Sequence, residues 1–327
     1  MTRKMDPLIG WPHEGSPFHR GEQSVQGRVG VRAKLAEVAD RLFRGAMPHQ
    51  HRELFEKLPF LVVGSIDREG RVWASVLGAG PGFVHTPDAS TLAIADLPAP
   101  RDPLSEALRV GAPVGLLGIE LPTRRRNRAN GVVESIDERG FAVHVQQSFG
   151  NCPKYIHVRE VVPVRRTQGA DVDVGPRLSP DAAKLVQRAD TFFIASASAA
   201  AGSPDAAPSD GVDVSHRGGP QGFVRVDEEG GHSVLVIPDY VGNFFFNTLG
   251  NLAVNPRAGL IFLDFESGDV LQLTGRAEVV WDGPAVEAVA GAQRLLRFHV
   301  VAGRFRPAAL PFRGRETSEE TNAISRR

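Results

Sequence analysis

NTLGNLAVNPRAGLIFLDFESGDVLQLTGRAEVV, residues 247–280, is the stretch whose reading decides the fold. It reads as a short helix, an Asn-Pro-Arg break, an apolar strand, a turn and a second strand. Parts of it recur earlier in the chain. AGLIFLDF at 258–265 answers VGLLGIEL at 114–121, and Gly275 in QLTGRAEVV answers Gly131 in NRANGVV. Further out, VLVIPD at 234–239 matches TLAIAD at 91–96. Gly-Pro-Gln-Gly-Phe-Val at 219–224 matches Gly-Pro-Gly-Phe-Val at 80–84. Order is kept throughout, and Gly131 and Gly275 lie 144 residues apart. That spacing exceeds the ~20–50 residues of solenoid repeats, so each copy is the size of a domain.

Short apolar runs between turn residues dominate both copies. FLVVGSI, the turn Asp67-Arg68-Glu69-Gly70 and RVWASVL predict a hairpin, and TLAIADL, APVGLLGIEL, RANGVVESI and GFAVHVQQ continue as strands. RDPLSEALRVG predicts a short helix, capped by Asp102 with Pro103 at its first position. In the second copy Ser179 caps a helix, and TFFIASAS, VDVSHRG, GFVRVD, SVLVIPD, RAGLIFLDF and DVLQLTGRAEVVW are strands. Residues 199–211 predict a long loop and residues 284–297 (PAVEAVAGAQRLLR) a helix. Many short strands without βαβ alternation predict a mainly β protein with peripheral helices, two tandem β-barrels rather than a parallel nucleotide-binding sheet. The expected divisions are an arm and helices over 1–57, a first, degenerate barrel over 58–160, a linker over 161–178, a second barrel over 179–312 and a disordered tail over 313–327. Residues 1–30 read as an irregular arm, and 31–57 as one or two helices.

The 327 residues carry 38 basic and 38 acidic side chains, so no net field favours nucleic acid or an anionic membrane. No apolar run reaches the ~18–20 residues of a membrane span, and the N-terminus lacks the apolar core of a secretion signal, so a cytoplasmic protein is expected. One cysteine, Cys152, excludes an intrachain disulfide. The ten histidines show no metal-ligand spacing, and nucleophile-elbow, P-loop and Rossmann patterns are absent, so no metal, Walker or NAD site is expected.

The densest candidate site is 212–251, VDVSHRGGPQGFVRVDEEGGHSVLVIPDYVGNFFFNTLGN. A strand ends at Ser215-His216-Arg217 and breaks at Gly218, where backbone amides can approach a ligand, and Arg217 suits a phosphate. Asn247 and Thr248 open a helix whose free amides favour an anion. His216 and Tyr240 are the only candidates for acid–base chemistry. In the first copy, Arg124, Arg126 and Arg128 alternate to one strand face, which suits a multiply charged anion, a carboxylate-rich surface of the other domain or a plain solvated hairpin. QSFGNCPKY at 147–155 mixes polar, aromatic and turn residues; it is expected to fold over one of the sites, with Lys154 and Arg159 toward an anion and Cys152 as a redox thiol or a structural turn residue.

The second half resembles the pyridoxamine 5′-phosphate oxidase-like family of FMN-binding split barrels, through its helix, Asn-Pro-Arg-Ala, central strand and Gly-Arg-Ala strand over residues 185–282. The repeat extends a weaker likeness to 58–136, and QSFGNCPKY is similar to a stretch in two-barrel relatives. The resemblance implies a tandem FMN-binding split barrel with FMN as cofactor. It implies a homodimer or, here, an intrachain pseudo-dimer. Ser215, His216 and Arg217 would flank the flavin; Ile237, Pro238 and Asp239 would meet its ring or ribityl chain; Asn243, Asn247 and Thr248 would approach the phosphate; Gln272 would lie beneath the ring. Phe246-Asn247-Thr248 departs from the family's basic Ser-Arg-Lys run, leaving Arg217 and Arg225 to compensate. The implied activity is an FMN-dependent oxidoreductase acting on a small molecule or reduced nicotinamide. The alternative is a non-catalytic flavin, heme or deazaflavin carrier.

Overall fold

The computed structural model describes residues 6–164 and 169–316. Helices α1 (Arg20–Arg28), α2 (Arg32–Ala36), α3 (Ala39–Leu42) and α4 (His49–Lys57) precede the first barrel. Its strands are β1 (Leu61–Ile66), β2 (Val72–Leu77), β3 (Val84–His85), β4 (Thr91–Ile94), β5 (Pro113–Glu120), β6 (Arg125–Asp137) and β7 (Gly140–Asn151), with α5 (Pro103–Ala107) between β4 and β5. Strands β8 (Arg159–Pro163) and β9 (Val172–Val174) and helix α6 (Pro180–Arg188) lead to the second barrel. That barrel comprises β10 (Thr191–Ala197), β11 (Val212–Gly218), β12 (Arg225–Glu229), β13 (His232–Tyr240), β14 (Arg257–Leu263), β15 (Val270–Val280) and β16 (Ala292–Arg306), with α7 (Asn247–Val254) between β13 and β14 and α8 (Pro284–Glu287) before β16; β17 (Phe312–Glu316) follows.

The strand order is β2-β1-β5-β6-β7-β4-β3 in the first barrel and β11-β10-β14-β15-β16-β13-β12 in the second, the same path drawn twice. All the pairings within each barrel are antiparallel. The helix between the fourth and fifth strands recurs as α5 and α7. Gly131 and Gly275 both sit at a β-bulge, where the long sixth strand bends against the seventh. The repeat read in the sequence is thus a repeat of topology, and the fold is two tandem split barrels.

Each barrel has its own core, and a third cluster joins them. On β10, Phe192 and Ile194 face the second barrel's interior while Phe193, Ala195 and Ala197 face the first barrel, where they meet Val62, Val72 and Ala74. Such strands are buried on both faces, which is why TFFIASA and LVVGSI read as unbroken apolar runs rather than alternating ones. Burying a side chain such as Phe193 in this seam is worth about 1.5–3 kcal/mol. Matched glycines let the sheets touch: a Cβ on Gly115 would lie 2.4 Å from the Val212 carbonyl oxygen, and one on Gly259 would lie 2.5 Å from Trp73 Cα.

Five expectations need correction. Residues 31–57 hold three helices, α2, α3 and α4, rather than one or two. The N-terminal arm is not irregular, because His19 and Glu22 form a capping box that starts α1, which packs on α7 of the second barrel. The 161–178 linker carries strand: β8 pairs with β17 and β9 pairs with β16. Residues 313–316 belong to β17 rather than to a tail; the rest of that segment, 317–327, lies outside the described residues. Helix 284–297 stops at Glu287, because from Ala292 the pattern alternates and builds the first half of β16. Among the described residues no helix is long and apolar enough to cross a membrane.

Candidate functional site

A cleft opens where β11, the edge strand of the second barrel, meets β6 of the first. β11 contributes Ser215, His216 and Arg217, and the turn after β13 contributes Asn243 and Phe246. The start of α7 adds Asn247 and Thr248, and β16 adds Arg294. From the first copy, β6 sends Arg126 and Arg128 into the same cleft, and the chain after β7 lays Asn151, Cys152, Lys154 and Tyr155 over it. Alternation on β6 explains the pair of arginines: Arg126, Arg128 and Asn130 point one way, while Asn127 and Ala129 point the other.

The lining is strongly basic. Arg126, Arg128, Lys154, Arg217 and Arg294 face it, against Asp239 as the single lining carboxylate. Asp239 is shared, 3.4 Å from Arg217 Nη2 and 3.5 Å from Arg294 Nε. Arg128 is buried and donates to Asp213 Oδ1 at 3.2 Å, Asn247 Oδ1 at 2.9 Å and Ser215 Oγ at 2.5 Å. Asp213 also accepts from Asn130 and Asn251, and Ser215 Oγ lies 2.8 Å from Thr248 Oγ1. Asn247 in turn donates to Glu22 of α1, whose carboxyl is pushed well above the usual carboxylate range by burial and by the nearby Asp213 charge. The N-terminal arm therefore supports the site's helix from behind.

Arg126 is half-buried and finds no carboxylate among the described residues. It donates to the Cys152 carbonyl at 2.9 Å and reaches His216 Nδ1 at 3.0 Å. Burial pushes its guanidinium down to about 10, so it stays charged at neutral pH. Because a guanidinium only donates, His216 Nδ1 accepts, and the neutral ring carries its proton on Nε2. Burial first, and then Arg126, hold the His216 ring well below its ordinary pKa. His216 is therefore a fixed donor rather than a titrating acid or base. Tyr240 and Tyr155 are both raised by burial, so neither supplies a group titrating near neutrality.

What the cleft lacks is acceptors. Asn151 Nδ2, Arg128 Nε, His216 Nε2, Arg217 Nε and Arg294 Nη1 are buried donors with no hydrogen-bond acceptor, and Arg294 Nε has only its 3.5 Å ion-pair contact with Asp239. Leaving a buried donor unmade costs about 1–3 kcal/mol, more for a charged group. Strain accompanies them. Phe244 and Phe246 both hold φ at 62°, and Phe246 is the N-cap of α7 with no side chain capping the helix. Left-handed geometry at a non-glycine residue costs on the order of 1–3 kcal/mol and collects at ligand sites.

The mouth is narrow. Tyr155 Oη donates to the Val241 carbonyl at 3.0 Å, and its ring meets Tyr240 at 5.5 Å. The Tyr155 carbonyl presses on β11 so closely that a Cβ on Gly218 would lie 2.1 Å away. Gly218 is thus required by the chain's own backbone, which corrects the expectation that it makes room for a ligand. The cavity encloses about 90 Å³, against ~300–1,000 Å³ for ordinary small-molecule pockets. A second cavity of about 660 Å³ lies beyond the Arg128–Asp213 pair, lined largely by prolines, glycines and alanines of the 202–211 loop and its surroundings. It is larger but holds none of the unpaired cationic donors, so the basic cleft is the candidate.

Ser215, His216, Arg217, Gly218, Pro238, Asp239, Tyr240, Asn243, Asn247 and Thr248 converge as expected, joined by Arg126, Arg128 and Lys154. Five assignments fail. Ile237 is wholly buried in the barrel core. Gln272 points into the first barrel, where it bonds Ala74, Ser75 and Asp102. Arg124 precedes β6 in a turn with φ 57°, off the strand alternation that carries Arg126 and Arg128. Arg225 is exposed and paired with Asp227, so it does not compensate for the lost basic run. Arg159 pairs with Asp190. Arg294 is not among the expected residues because 284–297 reads as helix; alternation over Ala292–Arg306 is the signal that marks it as strand. Asp213, Asn151 and Tyr155 lay within quoted stretches, but only the fold shows what they face.

Residues 178–310 match the family model described as pyridoxamine 5′-phosphate oxidase. No curated protein matches the chain. Among solved structures, a putative pyridoxamine 5′-phosphate oxidase from Lactobacillus delbrueckii is 16% identical, covering 32% of this chain and 94% of that one at a TM-score of 0.26. The heme storage protein HutZ from Vibrio cholerae is 14% identical, covering 41% and 97% at 0.26. An FAD-binding protein from Mesorhizobium loti is 14% identical, covering 42% and 99% at 0.24. With its antiparallel barrel repeated in the first half, the chain is a two-barrel protein whose second barrel matches the pyridoxamine 5′-phosphate oxidase family model.

Proposed function

We propose that the cleft between β11, α7 and β6 holds a flavin bearing an acidic group, FMN, and that the protein is a flavin-dependent oxidoreductase for a small organic molecule or reduced nicotinamide. The observation that carries this reading is the set of buried donors without acceptors, which demands an acceptor-rich, anionic ligand. Ser215, Arg128, Asn151 and the uncapped start of α7 would hold the acidic group, with Arg217 and Arg294 beside it. Their charge compensates for the missing basic run at 246–248. His216 Nε2 would donate to an acceptor on the ring system, and Tyr155 and Tyr240 would cover it. When bound, the flavin itself supplies the hydride and single-electron chemistry. The protein's part is to bind, orient and exclude water. The narrow cavity requires the Cys152–Tyr155 segment to give way as the ring enters.

A carrier reading, for a flavin, heme or deazaflavin, is favoured by one observation: His216, Tyr155 and Tyr240 are all held away from neutral pKa values, so the cleft offers no poised proton donor or acceptor of its own. Absorbance of the purified protein, then anaerobic addition of NADH or NADPH, separates the two. Bleaching of the flavin band with turnover supports the oxidoreductase. Bound pigment indifferent to reductant supports the carrier, and a colourless protein that ignores added FMN refutes both flavin readings.

A further inference from the structure

The two copies correspond residue by residue, and the correspondence shows what fills the first barrel's version of the cleft. Ser75 lies three residues before Gly78 as Ser215 lies three before Gly218, and Gln272 precedes Gly275 as Arg128 precedes Gly131. Arg128 pairs across to Phe149 and Gln272 to Arg304, so Asn151 corresponds to Arg306. Asp102 and Phe246 are the N-caps of the equivalent helices α5 and α7. Each sixth strand reaches into the other barrel: Arg128 donates to Ser215, and Gln272 donates to Ser75 at 3.0 Å.

At the centre of the first constellation sits Asp102, 2% exposed. Its carboxylate accepts from Ser75 Oγ at 2.5 Å, Leu104 N at 3.0 Å, Gln272 Nε2 at 3.2 Å and Arg306 Nη1 at 2.7 Å. In the second barrel the matching position is the apolar Phe246, and the counterpart of Arg306, Asn151, keeps a buried Nδ2 with no acceptor. One copy carries its own anion where the other lacks one.

We propose that Asp102 is a resident substitute for a ligand's acidic group, permanently filling the first barrel's site. The chain then binds one anionic ligand, in the second barrel, and the first barrel serves that site by lending Arg126 and Arg128. The single-ligand part rests on the flavin reading above; the resident-anion part does not. Asp102→Ser keeps a side chain able to cap α5 while opening a carboxylate-sized space among Ser75, Gln272 and Arg306. Sodium formate, compared with sodium chloride at equal ionic strength, is the probe. The thermal midpoint of Asp102→Ser is expected to rise with formate by several degrees more than that of the wild type or of Asp102→Asn, whose amide still fills the seat. Equal responses in all three overturn the proposal. A second measurement needs no variant: calorimetric titration of wild type with FMN is expected to saturate at one equivalent per chain. Two equivalents overturn the proposal. No binding at all counts against the flavin reading, and the formate comparison then decides the role of Asp102.

Discussion

Arg128→Gln installs in β6 the residue that stands at the matching position of β15. The side chain keeps donors for Ser215 and Asn247 but loses the charge that answers Asp213, both groups being nine-tenths or more buried. Breaking a buried pair by removing one partner costs about 3–5 kcal/mol. Retaining a neutral hydrogen bond returns about 1 kcal/mol, so Arg128→Gln is expected to lose about 2–4 kcal/mol. Asp213→Asn alone strands the guanidinium and costs a similar amount. The double variant is different. Asn251 donates from Nδ2 to Asp213 and to Ser196, while its Oδ1 faces the His19 ring. Flipping that amide, at the expense of its contact with His19, lets it accept from an Asn at 213 and from the Ser196 hydroxyl, so the neutral pair is accommodated. The double variant should therefore recover at least about 2 kcal/mol relative to the sum of the singles. Guanidinium denaturation, followed by midpoint and slope, reads the cycle. Additive losses would show that Arg128 and Asp213 are not coupled and would refute this account of the layer between the barrels.

Arg217→Ala should weaken FMN by about 1.5–3 kcal/mol while leaving riboflavin almost unchanged, since the lost contact is charged; equal losses for the two ligands in a fluorescence-quenching titration would contradict the role given to it. Tyr155→Phe removes the bond to the Val241 carbonyl that holds the mouth shut, worth about 0.5–1.5 kcal/mol. Stopped-flow association of FMN should accelerate about two- to tenfold, and an unchanged rate would show that this latch does not gate entry. Stability should fall on acidification. Burial depresses His51 to about 4 and lowers His19 and His216, so the unfolded chain takes up these protons first. The stabilisation from these histidines is complete above pH ~6.5 and is lost as pH falls toward 4, His51 alone accounting for about 3 kcal/mol, while Glu22, whose raised carboxyl takes up its proton in the folded state first, opposes the loss. His51→Gln should therefore show a shallower acid loss of denaturation midpoint than the wild type, and equal slopes between pH 7 and 4.5 would contradict this.

The barrels were legible because their signals are local. Asp102-Pro103 and Ser179-Pro180 announce helix starts, the turn at 67–70 announces a hairpin, and the matched glycines at 131 and 275 fix the register of the repeat. Most of the second barrel's half of the site was legible for the same reason, since Ser215 to Arg217 and Asn243 to Thr248 lie in two short segments. What sequence could not show was the other half. Arg126 and Arg128 read equally well as a solvated hairpin, because nothing local says that β6 crosses to the partner barrel. Gln272 failed for the converse reason: it occupies the equivalent position and crosses the other way. Glu22 and Arg294 reach the cleft region from α1 and β16, elements whose identity was misread.

Equilibrium titration of the purified chain with FMN and with riboflavin tests the central claim most directly. The basic, acceptor-poor cleft predicts that FMN binds at least about tenfold more tightly, a difference of about 1.4 kcal/mol or more, and that the preference shrinks with added phosphate. Equal affinity for the two, or no binding of either, would contradict it.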